Sequence, residues 1–99
     1  MTSEEKQKLI IPWIDPNERV TVHFLDEQNL NAEVIACSDA LVDLAIETRV
    51  PYMKQNISVP LSRTDVSVDP AHYTRDPDRP LKRGRLMLFI DEKRPAIVY

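Results

Sequence analysis

Alternation of apolar and polar residues is the feature that most restricts the fold of this chain. In residues 19–26, Val20, Val22 and Phe24 share one face, while Thr21 and His23 share the other. A period of two is typical of a β-strand with one buried face. The pattern recurs along the chain, and it predicts seven short strands, at residues 19–26, 30–36, 40–47, 57–62, 64–68, 85–90 and 96–99.

The spacing of these segments predicts the fold class. Asp and Asn in residues 26–29, and Ser38 with Asp39, suit turns, so the first three strands should form a meander. A chain of 99 residues without a long helical pattern is expected to form one all-β domain, a small, partly closed antiparallel β-barrel of about six to seven strands. The predicted organisation is an N-terminal arm, residues 1–18, followed by the barrel, residues 19–99.

Proline and glycine define the irregular parts of the prediction. Pro60 lacks an amide hydrogen, so its strand is predicted at a sheet edge, or with this nitrogen turned away from the neighbouring strand. Residues 49–56 are predicted as a polar connection, and residues 69–84, which contain three prolines, as the longest loop. Because Gly84 is the only glycine, tight turns must rely on Asn and Asp, and strand bends on bulges.

Two segments contain more apolar residues than a small core is expected to bury. The N-terminal arm begins with a capping box, in which Thr2 reaches Glu5, and Pro12 ends any helix. Its apolar residues must be covered by the core of this chain or by a second subunit. The strand at 85–90 is apolar on both faces, so it also needs two covers. The predicted interface residues are Ile10, Ile11, Trp13, Ile14, Met87 and Phe89.

Charge is divided unevenly along the chain. Residues 1–70 carry twelve acids and six bases, a net charge of −6, and residues 71–99 carry four acids and seven bases, a net charge of +3. The total of −3 argues against a general nucleic-acid binder but allows a local anion site. No apolar run approaches the roughly 20 residues of a membrane helix, and the acidic start lacks a secretory signal, so a cytoplasmic protein without membrane contact is predicted.

Residues suited to catalysis or metal binding are sparse. Cys37, His23 and His72 do not have the spacing of a zinc site, and no cofactor is predicted. A nucleophilic Cys37 would need a base beside it, for which His23 is the candidate. No glycine loop for phosphate and no paired carboxylates on one face are present, so a non-enzymatic protein is predicted.

A basic stretch near the C-terminus is the candidate ligand site. Five of the thirteen basic residues lie between positions 75 and 85: Arg75, Arg79, Lys82, Arg83 and Arg85. Guanidinium groups suit phosphate because their planar fork donates paired hydrogen bonds. The interleaved Asp76 and Asp78 favour the alternative of a solvated, self-paired or protein-binding loop.

Two family resemblances accompany these patterns. The strand order from Arg19 to Glu47, followed by residues 57–68, resembles Sm-like barrels, which implies subunit rings and single-stranded RNA as a partner; Ala32 stands where that family has a glycine. The stretch ACSDAL at 36–41, together with the four-residue spacing of Arg75 and Arg79, resembles PilZ domains. That resemblance implies binding of a cyclic dinucleotide through the basic stretch.

The function predicted from the sequence is a non-catalytic binding or scaffolding module that contacts a protein partner or copies of itself. A PilZ-like phosphate or nucleotide sensor and an Sm-like RNA binder stay open as alternatives.

Overall fold

A computed structural model describes residues 1–25, 29–49, 52–69 and 84–94. Its helices are α1 (Ser3–Ile10) and two single-turn 3-10 helices, Ile11–Trp13 and Leu61–Arg63. Its strands are β1 (Val20–Phe24), β2 (Leu30–Cys37), β3 (Leu41–Arg49), β4 (Tyr52–Pro60), β5 (Thr64–Val68) and β6 (Leu86–Ile90). The all-β class is confirmed, and the predicted strand at 96–99 lies outside the described residues.

The strands form one mixed sheet in the order β4-β3-β2-β1-β6-β5. The meander of β1, β2 and β3 is confirmed, since both of its pairings are antiparallel. The pairing of β1 with β6 is parallel, with Val22 beside Leu88, so the sheet is mixed and not antiparallel throughout as the predicted antiparallel barrel implied. Barrel closure is not observed among the described residues, because β4 and β5 are the two edges of the sheet. The 3-10 helix Leu61–Arg63 joins these two edges directly.

The polar connection predicted at residues 49–56 is wrong for most of its length. β4 begins at Tyr52 and pairs with β3 as far as Pro60. Its side chains alternate between exposed and half-buried, with Lys54 and Asn56 exposed and Gln55 between them. An edge strand covers less of the core than a central one, so this polar composition is compatible with strand pairing.

One face of the sheet holds the core. Its buried residues follow the predicted alternation for most positions, although Val68 is exposed, and they include Val20, Val22, Phe24, Ala32, Val34, Val42, Leu44, Ile46, Val59, Val66, Leu86, Leu88 and Ile90. Each fully buried aliphatic or aromatic side chain contributes about 1.5–3 kcal/mol relative to its exposed state. The opposite face, here called the outer face, carries the polar residues and the second apolar row of β6.

The N-terminal arm belongs to the same core. The Oγ1 atom of Thr2 accepts the Glu5 amide at 3.2 Å, which confirms the cap, and α1 ends before Pro12. Ile10 and Trp13 lie in the core cluster of the sheet. The core of this chain therefore covers these two side chains, and the prediction that they form an interface is wrong because they are not accessible to a partner. Ile11 and Ile14 stay 47% and 41% exposed.

No helix within the described ranges is long and apolar enough to cross a membrane.

Candidate functional site

The described residues include only the end of the predicted ligand-binding stretch. Arg75, Arg79, Lys82 and Arg83 lie outside the described residues. Arg85 is exposed, just before β6, and its Nη2 atom donates to Oδ1 of Asn31 on β2. The structure thus places one of the five basic residues, on the outer face.

Arg19 lies immediately before β1 and is held by acids of β2 and β3. Its Nε atom donates to Glu47 at 2.5 Å, and its Nη1 atom lies 4.0 Å from Glu33. Nη1 also donates to the carbonyls of Pro16 and Glu18. This guanidinium closes the turn before β1 and is neutralised by its own chain, so it is not available to an anionic ligand.

Phe89 is an exposed aromatic residue on the outer face. It lies between the buried Leu88 and Ile90 on β6, points to the other side of the sheet and is 41% exposed. Its ring contacts His23 of β1, with centroids 5.8 Å apart. The Nδ1 atom of His23 is 3.0 Å from Oδ1 of Asn29. One side of the phenyl ring is therefore covered, and the remainder faces solvent.

A groove of about 430 Å³ surrounds the exposed part of this ring, lined by His23, Leu25, Ser62, Arg63, Asp65, Phe89, Ile90 and Asp91. Leu25, at the end of β1, is 64% exposed. Asp65 on β5 pairs in register with Phe89, so its carboxylate shares the outer face with the ring. Arg63 lies 3.4 Å from Glu92, an acid just beyond the lining residues.

The charge around the groove is acidic. The described carboxylates there are Asp65, Asp91 and Glu92, and the described cation is Arg63. Among the lining residues, two acids against one base give a formal net charge of −1, and that base is paired with Glu92. The groove therefore combines an apolar floor with a negative rim.

A smaller hollow of about 290 Å³ lies over β3 and β4, lined in part by Ile35, Asp43, Asn56 and Ser58. The hydroxyl of Ser58 donates to Asp43 at 2.5 Å. Since this carboxylate already has a donor from its own chain, the hollow offers less unpaired polar surface than the groove.

Cys37 and His23 lie far apart, near opposite ends of β2. His23 contacts Asn29 just before the strand begins, whereas Cys37 is its last residue. Eight strand residues span roughly 26 Å, so His23 does not reach the thiol. Burial, with a smaller effect from Asp43, raises the pKa of the Cys37 thiol. Both effects favour the unreactive thiol form, and no cluster of metal ligands occurs among the described residues.

Comparison of the chain with protein-family models, curated proteins and solved structures finds no match. Sequence reasoning identified Phe89 but missed Leu25, Asp65 and Asp91 as its neighbours in the groove. Met87, the other predicted interface residue of β6, is half-buried between Thr21 and Ser67 and does not line the groove. The available signal was the period-two alternation in β5, which places Asp65 on the face opposite to that of the buried Val66. The parallel pairing of β1 with β6 brings Leu25 to the groove, and a single chain's sequence does not reveal that pairing.

Proposed function

We propose that this protein is a non-catalytic binding module whose outer-face groove takes a segment of a partner protein. The observation that carries the proposal is the exposure of Phe89. A phenyl ring on the outer face of an inner strand, 41% exposed beside a 64% exposed Leu25, is apolar surface that this chain's described residues leave uncovered.

Phe89 has the properties of an interface anchor. Its backbone is fixed by β1 on one side and β5 on the other, and His23 supports the ring from one side. A pre-positioned ring loses little conformational entropy on binding, and aromatic anchors commonly dominate interface energies. Covering the remaining ring surface with an apolar side chain is the main source of affinity in this proposal.

The rim determines the chemistry of the partner. Asp65 and Asp91 are exposed, and Arg63 is engaged by Glu92. A basic side chain next to an apolar one matches this arrangement, since complementary charge steers association and excludes acidic competitors. The partner segment is therefore a basic and apolar peptide.

The surroundings of His23 support binding over catalysis. Its Nδ1 atom faces the amide oxygen of Asn29 rather than a carboxylate. Among the described residues, no hydrogen bond connects its ring to Ser62 on the same groove. A histidine that activates a hydroxyl needs that contact, and here the imidazole ring instead packs against Phe89.

Peptide selection tests the proposal. A phage-displayed library of random short peptides would be selected on the wild-type protein, and the enriched peptides tested on Phe89→Ser. The matched control is Leu41→Ser, because Leu41 is 43% exposed and lies outside the groove. We expect enriched peptides that place Lys or Arg beside a large apolar residue and that bind Leu41→Ser but not Phe89→Ser. Peptides without this pattern, or binding that survives Phe89→Ser, would contradict the proposal.

Anion binding by the basic stretch stays a prediction, because the described part of the chain contains only Arg85 from that set. Charge reversal in the double variant Arg79→Glu, Arg83→Glu tests it against cyclic di-GMP and a short oligo-U.

A further inference from the structure

β4 has an outward edge that no described strand pairs with, and the geometry of this edge follows from the pairing of β4 with β3. The Leu61 amide donates to the Ala40 carbonyl at 2.9 Å, and the ladder runs from Leu41 opposite Pro60 without a register shift. Antiparallel ladders alternate between hydrogen-bonded and non-hydrogen-bonded pairs. Odd-numbered residues of β4 therefore bond to β3, and the even-numbered ones turn their backbone groups outward: Tyr52, Lys54, Asn56, Ser58 and Pro60.

No strand of the described residues pairs with this outward edge. It presents four amide donors, followed by Pro60, which has none. The pyrrolidine nitrogen of Pro60 points away from β3, which agrees with the sequence prediction for this residue. A nine-residue edge is long enough to accept a further strand, and strand addition to such edges is a common mode of protein association.

We propose that a second copy of this chain pairs with β4 in antiparallel orientation, about a two-fold axis that passes beside Gln55. This goes beyond the peptide groove, which lies on the β1–β6–β5 side of the sheet. Two-fold pairing uses the same edge from both copies, so one set of outward groups satisfies the other.

Backbone and core-face complementarity favour this register. With the axis at Gln55, Tyr52 pairs with the second copy's Ser58 and Lys54 with the second copy's Asn56, so every outward amide finds a carbonyl. An axis at Asn56 would instead place Pro60 opposite Tyr52, whose carbonyl would lack a donor. The Gln55 axis also sets the half-buried Met53 beside the half-buried Ile57 of the second copy, so apolar surface is covered on the core face.

Charge also favours this register. An axis at Lys54 would set two ammonium groups directly opposite each other, which is destabilising. With the axis at Gln55, Lys54 lies beside a neutral Asn56 and keeps Glu33 at 4.0 Å in its own chain. The exposed Tyr52 lies beside Ser58, whose hydroxyl is fixed by Asp43. The edge is therefore self-complementary in backbone hydrogen bonding and in side-chain charge.

Sedimentation equilibrium of the full chain and cysteine cross-linking test the pairing. In a Cys37→Ser background, Gln55→Cys places two thiols across the axis in a non-hydrogen-bonded pair, with Cα atoms about 4.5 Å apart. Asn56→Cys is the matched control, because its two Cα atoms would be roughly 8 Å apart, beyond disulfide reach. We expect a dimer by sedimentation, and oxidation that cross-links Gln55→Cys at least about tenfold faster than Asn56→Cys.

A second pair of variants tests the backbone contact. Asn56→Pro removes an outward amide without removing a bond to β3, and it should abolish the dimer, whereas Asn56→Ala should retain it. A monomer at all concentrations, or equal cross-linking at Gln55 and Asn56, would overturn the inference. Phe89→Ser should leave the dimer intact, so failure of the peptide groove and failure of this pairing give different results.

Discussion

The Nζ atom of Lys6 donates a 2.7 Å hydrogen bond to the carbonyl oxygen of Leu61, 55 residues later in the chain. Lys6 lies on α1 and is only 8% exposed, and Leu61 begins the 3-10 helix that joins the two edges of the sheet. This contact fastens the N-terminal helix to the connection between β4 and β5. It places the arm within the folded domain.

Replacement of Lys6 by Met should destabilise the protein. Methionine keeps the apolar stem of the side chain but leaves the Leu61 carbonyl without its charged donor, at a cost of about 1–3 kcal/mol. The free energy of unfolding in urea measures the loss. Lys8→Met is the control, because Lys8 is exposed on the same helix and should change stability by less than about 0.5 kcal/mol. Equal stability of the two variants would contradict a role for this contact.

The core position of Trp13 gives a second stability prediction. Trp13 is 7% exposed within the core cluster, so Trp13→Ala should cost about 3–5 kcal/mol through lost burial and a cavity. Ile14→Ala should cost much less, since that side chain is 41% exposed. Thermal unfolding of both variants measures the difference. A chain lacking residues 1–14 that unfolds at the wild-type temperature would show that the arm is not part of the fold.

Gly84 is required by a close backbone approach. A Cβ atom added there would lie 2.1 Å from the carbonyl oxygen of Asp69 and 3.0 Å from a methyl group of Val68. The backbone oxygen cannot move without disturbing the Asp69 amide, which donates to Arg85 at 2.8 Å. Gly84→Ala should therefore lower stability by about 1–3 kcal/mol through overpacking, measured by urea unfolding. Ser67→Ala, at an exposed position on β5, is the control. If Gly84→Ala lowers the free energy of unfolding no more than Ser67→Ala does, glycine is not required at position 84.

The reactivity of Cys37 follows from its raised pKa. The thiolate is the nucleophile, and burial, followed by Asp43, raises the pKa of this thiol. Alkylation of Cys37 by iodoacetamide near neutral pH should therefore be slower than alkylation of a cysteine in a short unfolded peptide, and it should accelerate as the pH rises. Asp43→Asn removes a negative charge, lowers the pKa and should speed the reaction at a fixed pH. Asp65→Asn, across the sheet, should not change the rate. A rate that is independent of Asp43 would contradict the electrostatic contribution.

Local patterns predicted more of this fold than long-range ones. Alternation in residues 20–24 and 30–36 correctly identified the buried faces of β1 and β2, because inward and outward positions depend only on the pleat. The start of β4 was missed because the polar residues Lys54 and Asn56 are typical of a loop, although the strand that contains Pro60 was predicted at a sheet edge, where polar side chains are compatible with pairing. The neighbour of β1 on its other side could not be inferred, since β6 is distant in sequence and its parallel pairing leaves no local signal.

The groove, too, could be predicted only in part from the sequence. Phe89 was identifiable as surplus apolar surface on a strand with two apolar faces. Its acidic neighbour Asp65 was not, because it lies on β5, which meets β6 only in the folded sheet. Asp91 follows Phe89 by only two residues, and its place beside the ring was missed. Their charge defines the partner proposed for this surface.

Calorimetric titration of one selected basic, apolar peptide into the wild-type protein, Phe89→Ser and Leu41→Ser tests the groove most directly. We expect saturable binding to the wild-type protein, an equal affinity for Leu41→Ser, and a loss of at least about tenfold, or 1.4 kcal/mol, for Phe89→Ser. Equal affinities for all three proteins would contradict the assignment of the groove around Phe89 as the binding site.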